Sequence, residues 1–357
     1  METDEVRSEQ QGALGIITLT RPKALNALTL GMIRVMDPLL RRWASDPAIG
    51  AVLVRGEGDR AFCAGGDVRA VYDSGMAQRR GEGDGAITRD FFREEYILNR
   101  LIKRYPKPYV ALIDGITMGG GVGLSVHGTF RVATERTMLA MPETGIGLFP
   151  DVGGSYFLPR LGGEMGTFLA LSGTRVHAAD LLNLKIATHH VPAAKLGDVV
   201  AGVTKVADKG ETAIAAAIEA LAAPAGNPLL PAQTPAIARC FAGDTVEAVL
   251  QALSKEGSDW STGLLKTLSG MSPTSMKITL RQMREGAKLD FDACMRMEYR
   301  MTQGCMAGHD FFEGIRAQLV DKDRNPKWLP ATLAEVTDAD IARHFAPLGA
   351  NDLTFSN

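Results

Sequence analysis

Four short apolar runs constrain the fold class before anything else does. Leu14–Leu19, residues 51–54, Tyr109–Ile113 and Phe130–Ala133 are rich in branched residues and bounded by Gly, Pro or charge, as strands buried on both faces are. Between the first two, Leu30, Ile33, Leu40 and Trp43 recur at helical spacing, with Pro38 expected to kink that helix or bend its start. Strand–helix alternation of this kind predicts an α/β protein whose ligands gather at loops beyond the strand ends. Residues 74–89 are Gly-, Arg- and acid-rich without periodicity and read as a solvated loop, after which 91–104 resumes as helix. Farther on, 211–222, 245–252, 272–286 and 290–305 are helical, with a linker at 224–235 and a Ser272-Pro273 helix start. The chain thus divides into a polar tail (1–11), an α/β core (12–205) and a helical C-terminal region (206–357).

Charge and cysteine content narrow the function. Thirty-nine basic against 41 acidic side chains give a net charge of −2, so no global basic field exists for nucleic acid or an anionic membrane. Cysteines 63, 240, 294 and 305 form no CxxC pair and no zinc spacing, and read as reduced thiols, so no metal is expected. The start, METDEVRSEQQG, has neither the apolar stretch of a secretory signal nor an Arg-rich amphipathic face, which sets the expected location as cytoplasmic. The most membrane-like stretch, 108–128, is broken by Asp114, His127 and several glycines, and reads as strand, loop and buried helix.

Several familiar sites are excluded by spelling. There is no GxxxxGK[ST], no GxSxG, no HExxH and no GxGxxG in register. Adjacent His189 and His190 on a strand face opposite sides and read as structural. Cys63 has no histidine beside it in sequence and reads as a packing residue, as do Met295, Met297, Met301 and Met306. Three segments combine glycine with acid: residues 61–67 (AFCAGGD), 115–124 (GITMGGGVGL) and 141–154 (MPETGIGLFPDVGG). Glycines at strand-to-helix turns let backbone N–H groups approach a ligand oxygen, and a helix N-terminus adds a positive dipole. Two such loops aimed at one point make an oxyanion hole; taken singly, each is also compatible with a tight turn.

The combination of RPKALNAL (21–28), FCAGGD, the GGG loop and MPET resembles the crotonase, or enoyl-CoA hydratase/isomerase, superfamily. The resemblance implies a spiral of ββα units, a helical C-terminal region that in this family often mediates oligomers and so allows a homo-oligomer, and acyl-CoA as the partner molecule. It implies a thioester oxygen held by the amides of Ala64 and Gly120, flanked by Gly119 and Gly121, and CoA contacts around Lys23, Ala24, Gly66 and Asp67. CoA enters as part of the substrate, and no other cofactor is implied.

Hydratases of the family carry two glutamates, one two residues after the glycine triplet and one in the PE motif. Here the first position is Gly123 and the second is Glu143; another acid, Asp151, follows eight residues later. That arrangement, with FFREEY (91–96), MPETGIGLFPDVGGSYFLPRL and the tail EYRMTQ…DFFEGIRAQLVDKDRNPKW, resembles the 3-hydroxyisobutyryl-CoA hydrolase branch from about residue 12 to beyond residue 328. The branch implies thioester hydrolysis in valine catabolism, with Glu143 attacking the carbonyl or acting as general base for water. The branch further implies that Asp151 orients the substrate hydroxyl or the water, though Pro-Asp-x-Gly also suits a turn cap, and Glu95 matches a substrate contact, though Arg93 and Glu94 beside it also suit a solvated ionic face. The rival expectations are an enoyl-CoA hydratase or isomerase using Glu143, and a non-catalytic acyl-CoA-binding or assembly protein.

Overall fold

The computed structural model describes residues 4–355. They form two compact units, each assembled from three stretches of chain. The first takes the chain up to Asp67, Ile97–Ala140 and Arg175–Leu229; the second takes Val68–Tyr96, Met141–Thr174 and the chain from Leu230 on.

Among the described residues, all ten strands lie in the first unit: β1 Val6–Gln11, β2 Leu14–Leu19, β3 Ala51–Gly56, β4 Ala61–Cys63, β5 Tyr109–Ile113, β6 Ile116–Met118, β7 Phe130–Ala133, β8 Met138–Ala140, β9 Val176–His177 and β10 His189–His190. A six-stranded sheet runs β1-β2-β3-β5-β7-β10, and a four-stranded sheet runs β4-β6-β8-β9. From β3 to β8 the chain alternates between the sheets, so β3β4, β5β6 and β7β8 each place one strand in each sheet and lead on to helix. That is a repeating ββα path, and pairing within it is parallel. One face of the larger sheet presents Leu14 and Ile16, Ala51 and Leu53, Val110 and Leu112, and Phe130 and Val132, the alternate positions a pleated strand turns one way. The helices Leu196–Thr204 and Glu211–Glu219 cover that face with Val199, Val203, Ile214 and Ile218.

The second unit is helical, and its helix starts obey capping chemistry. Thr245, Ser258, Ser272, Asp290 and Thr337 each accept a backbone N–H three residues on. The sequence-predicted start at Ser272-Pro273 is among them.

Three expectations change. The polar tail of residues 1–11 is, from Val6 on, an antiparallel edge strand on β2; Val6 is buried while most of its other side chains face water, which is why it reads as a tail. Residues 74–89 are chiefly the end of one helix, Val68–Arg79, and the start of another, Ala86–Lys103. The first buries only Val71 and Gly75, too little for an apolar period to register. The two compact units also do not follow a division at 205/206: the first runs on to Leu229, and the second draws in 68–96 and 141–174.

Candidate active site

In the first unit, β4 and β6 are parallel neighbours, so the AGGD and MGGG loops leave from the same end of the same sheet. The loops are close enough to forbid side chains: a Cβ on Gly121 would lie 2.1 Å from the Cys63 carbonyl oxygen. Gly120 opens the short helix Gly120–Gly123, so its N–H is a first-turn donor without an intrahelical acceptor. Gly119, the N-cap, adopts φ 42° to make that turn.

The AGGD loop is laid against residues 21–28. Leu28 N–H donates to the Gly65 carbonyl and Asp67 N–H to the Leu28 carbonyl, both at 2.8 Å. This is a parallel bridge between Leu28 and Gly66, and it turns Gly66's own N–H away from Leu28; that N–H has no acceptor among the described residues. Ala64 is different. Its N–H donates to the Leu25 carbonyl at 3.0 Å, which removes it from the donor pair expected from sequence and leaves the amide of Gly66.

Leu25 and Asn26 are left-handed (φ 53° and 55°), and the buried Asn26 carboxamide holds that conformation. Its Oδ1 accepts from Arg21 N–H at 3.0 Å, and its Nδ2 donates to the carbonyls of Glu57 at 3.0 Å and Ala61 at 2.8 Å. Lys23 and Ala24 sit exposed on the turn so made. Asp67, expected at the CoA end, accepts from the Arg21 guanidinium at 3.0 Å.

The second unit gathers the acids. Glu143 begins a 3-10 turn, Glu143–Ile146, that ends on Gly147 at φ 72°, where a Cβ would lie 2.2 Å from the Asp310 carbonyl. The neighbouring Thr144 fixes the turn, its hydroxyl donating to the Leu171 carbonyl at 3.1 Å and its carbonyl accepting from Ser272 N–H at 3.0 Å. Glu95, Glu143, Asp151 and Glu298 are 2%, 5%, 4% and 0% exposed. Oε1 of Glu95 and Oε2 of Glu143 have no hydrogen-bond partner among the described residues. Asp151 Oδ2 accepts from the Tyr96 hydroxyl at 2.7 Å, and that hydroxyl also meets Thr302 Oγ1 at 2.7 Å. Val152, next to Asp151, holds φ 50°, a strained setting for a β-branched residue that costs about 1–3 kcal/mol.

Burial dominates the electrostatics. It holds the Glu143 carboxyl well above the ordinary carboxylate range, with the Asp151 charge adding to the rise. Glu95 is raised by burial, then by Asp151, Glu143 and Glu298. Asp151 is pushed up to about 6 by burial against the lowering hydrogen bond from Tyr96, and Glu298 to about 8 by burial against Ser155 and Gly153. The sign of the resulting linkage is fixed. Above the ordinary value of 4.5 the folded protein keeps a proton on Glu95 that the unfolded chain has released, so the contribution of Glu95 to stability is lost as pH rises from there. Glu95→Gln keeps the shape and cannot ionise. The difference in Tm, variant minus wild type, should therefore grow more positive as pH rises above 4.5, and a constant difference would contradict the assignment.

Sequence reasoning brought Glu95, Glu143 and Asp151 forward, and the structure buries all three in the same unit. It missed Gly66 as the free amide, and it missed Tyr96, Glu298 and Thr302. A signal for the last two existed. In the helix Phe291–Ala307 the buried stripe runs through Phe291, Cys294, Met295, Glu298, Met301, Thr302 and Cys305, so an acid and a hydroxyl sit where period alone calls for apolar residues.

The chain is 49% identical over 359 residues to the 3-hydroxyisobutyryl-CoA hydrolase, mitochondrial, of Rattus norvegicus, an alignment covering 99% of this chain and 92% of the relative. The protein of that name from Homo sapiens is 48% identical over 357 residues, covering 99% and 91%. Both are named mitochondrial, which overturns the cytoplasmic expectation; reduced cysteines argue only against an oxidising compartment. Among solved structures, a carnitinyl-CoA dehydratase from Mycobacterium thermoresistibile matches with TM-score 0.91 at 42% identity over 99% of each chain. An enoyl-CoA hydratase from Rhodobacter sphaeroides matches with TM-score 0.88 at 38% identity, covering 98% of this chain and all of the other. The fold is thus the crotonase-like one that the motifs implied. The enoyl-CoA hydratase/isomerase family model matches residues 14–345, nearly the whole described chain, and the protein belongs to that family.

Proposed function

We propose that this chain hydrolyses 3-hydroxyisobutyryl-CoA to 3-hydroxyisobutyrate and CoA, a step in the breakdown of valine. The observation that carries the reading is the buried Glu143 carboxyl, with one oxygen unpartnered and its pKa raised in part by Asp151, in a chain that has Gly123 where family hydratases place their other glutamate. The names of the relatives at 48–49% identity support it.

Thioester hydrolysis needs a held oxyanion, a nucleophile and a departing thiolate. The amides of Gly66 and Gly120 bind the carbonyl oxygen, and Gly119 and Gly121 let the loop approach it. Ionised Glu143 attacks the carbonyl carbon, the C–S bond breaks and CoA leaves as thiolate. Water then opens the mixed anhydride, which returns the Glu143 carboxylate and yields the hydroxy acid. Asp151, with Oδ2 held by Tyr96, uses Oδ1 to orient the water or the substrate hydroxyl, and Glu95 meets the acyl group. Lys23 and Ala24 line the CoA end.

A second reading, hydration of an enoyl-CoA, is favoured by the titles of the two solved relatives, a dehydratase and a hydratase. Thiol release separates the two. Purified protein should release thiol from 3-hydroxyisobutyryl-CoA, detected with a thiol-reactive dye. Loss of the enoyl absorbance of crotonyl-CoA without thiol release would instead establish the hydratase.

A further inference from the structure

We infer that Glu298 is a positioning residue for Asp151: its carboxylate clamps the backbone that follows Asp151 and so fixes where that acid points. The inference rests on the role given to Asp151 above. Glu298 Oε2 accepts from Gly153 N–H at 2.8 Å; Oε1 accepts from Ser155 N–H at 2.9 Å and from the Ser155 hydroxyl. Three donors thus converge on one fully buried carboxylate, two and four residues after Asp151.

The clamp has something to hold against. Val152, between Asp151 and the clamped glycine, has φ 50°, and a β-branched residue keeps such a backbone only where its surroundings dictate it. The other end of the segment is fixed as well, because buried Gln282 donates from Nε2 to the Pro150 carbonyl at 2.6 Å. Beyond it, Gly286 leaves no room for a Cβ, which would lie 2.1 Å from the Ser155 carbonyl. One helix, Phe291–Ala307, holds both the chain and the side chain of Asp151. Glu298 takes the backbone; Thr302, one turn on, meets the Tyr96 hydroxyl that donates to Asp151. This accounts for the EYRMTQ segment, which lies far from the motifs that carry the chemistry.

Above the Glu298 pKa of about 8, where the group is a carboxylate, Gln at 298 preserves shape but presents one acceptor oxygen instead of two, so one clamped amide loses its partner, and the comparison is made there. Glu298→Gln should lower kcat for thiol release by roughly 10- to 100-fold, the scale of a misplacement of about 1 Å, with KM little changed. The deciding measurement is a double-mutant cycle. In an Asp151→Asn background the same substitution should cost less than about threefold, because the group it positions is already disabled. Equal losses in both backgrounds would overturn the inference and leave Glu298 a general stability residue. Should Glu298→Gln fail to fold, Ser155→Ala removes only the hydroxyl bond and enters the same cycle, with a smaller expected loss. Amide exchange keeps this test separate from the fate of the hydrolase reading. Gly153 and Ser155 N–H should lose protection in Glu298→Gln whatever the substrate proves to be, and unchanged protection would refute the clamp itself.

Discussion

Glu143→Gln should abolish thiol release, with a fall of ~10³-fold or more, while the variant still binds the CoA thioester. Gln fills the same volume and cannot attack a carbonyl or take a proton from water, so binding survives where chemistry does not. The pH profile of the wild type should carry the same message. The reacting form is the carboxylate, and burial with the Asp151 charge holds Glu143 protonated to well above the ordinary carboxylate range. Activity should therefore rise with pH through a limb placed well above 4.5, and that limb should be absent from the residual rate of the variant. A Glu143→Gln protein that releases thiol at the wild-type rate would remove Glu143 from the mechanism.

The second large effect concerns an amide. Gly66→Pro deletes one N–H and leaves both bonds of the Leu28 bridge intact, because those bonds belong to Gly65 and Asp67. Gly66→Ala keeps the N–H and reports what the added carbon does alone. Loss of one oxyanion donor costs ~10²–10³-fold in kcat, and Gly66→Pro should show it while Gly66→Ala stays within about tenfold of wild type. Equal activity of the two variants would show that the amide takes no part. Loss of the same size in both would assign the effect to crowding of the loop.

The α/β class, the acids and the glycine loops were legible because each rests on a local signal: buried strands read as unbroken apolar runs, and a PE or PD motif names its own residue. The free amide of the AGGD loop was not legible. Nothing in AFCAGGD says which amide is free, because the answer depends on Leu25 and Leu28, residues some 40 positions earlier that pair with the loop. Val6–Gln11 was misread for a related reason. An edge strand with water on one side has too few apolar positions to declare itself, and only its partner β2 makes it a strand. Glu298 was visible as an acid on an apolar stripe, but its purpose was not, since the groups it serves lie more than 140 residues away in sequence.

That the second unit is stitched from three separated stretches of chain has a consequence for the order of synthesis. Glu95, Glu143 and Asp151 all emerge from the ribosome before residue 230, yet the helices that carry Gln282, Glu298 and Thr302 come after it. A nascent chain stopped at Leu229 owns every acid named in the chemistry and none of the far helices that bury and aim them. For such a chain those carboxyls are ordinary hydrated acids, and the site comes into being only once the last third of the protein has been made.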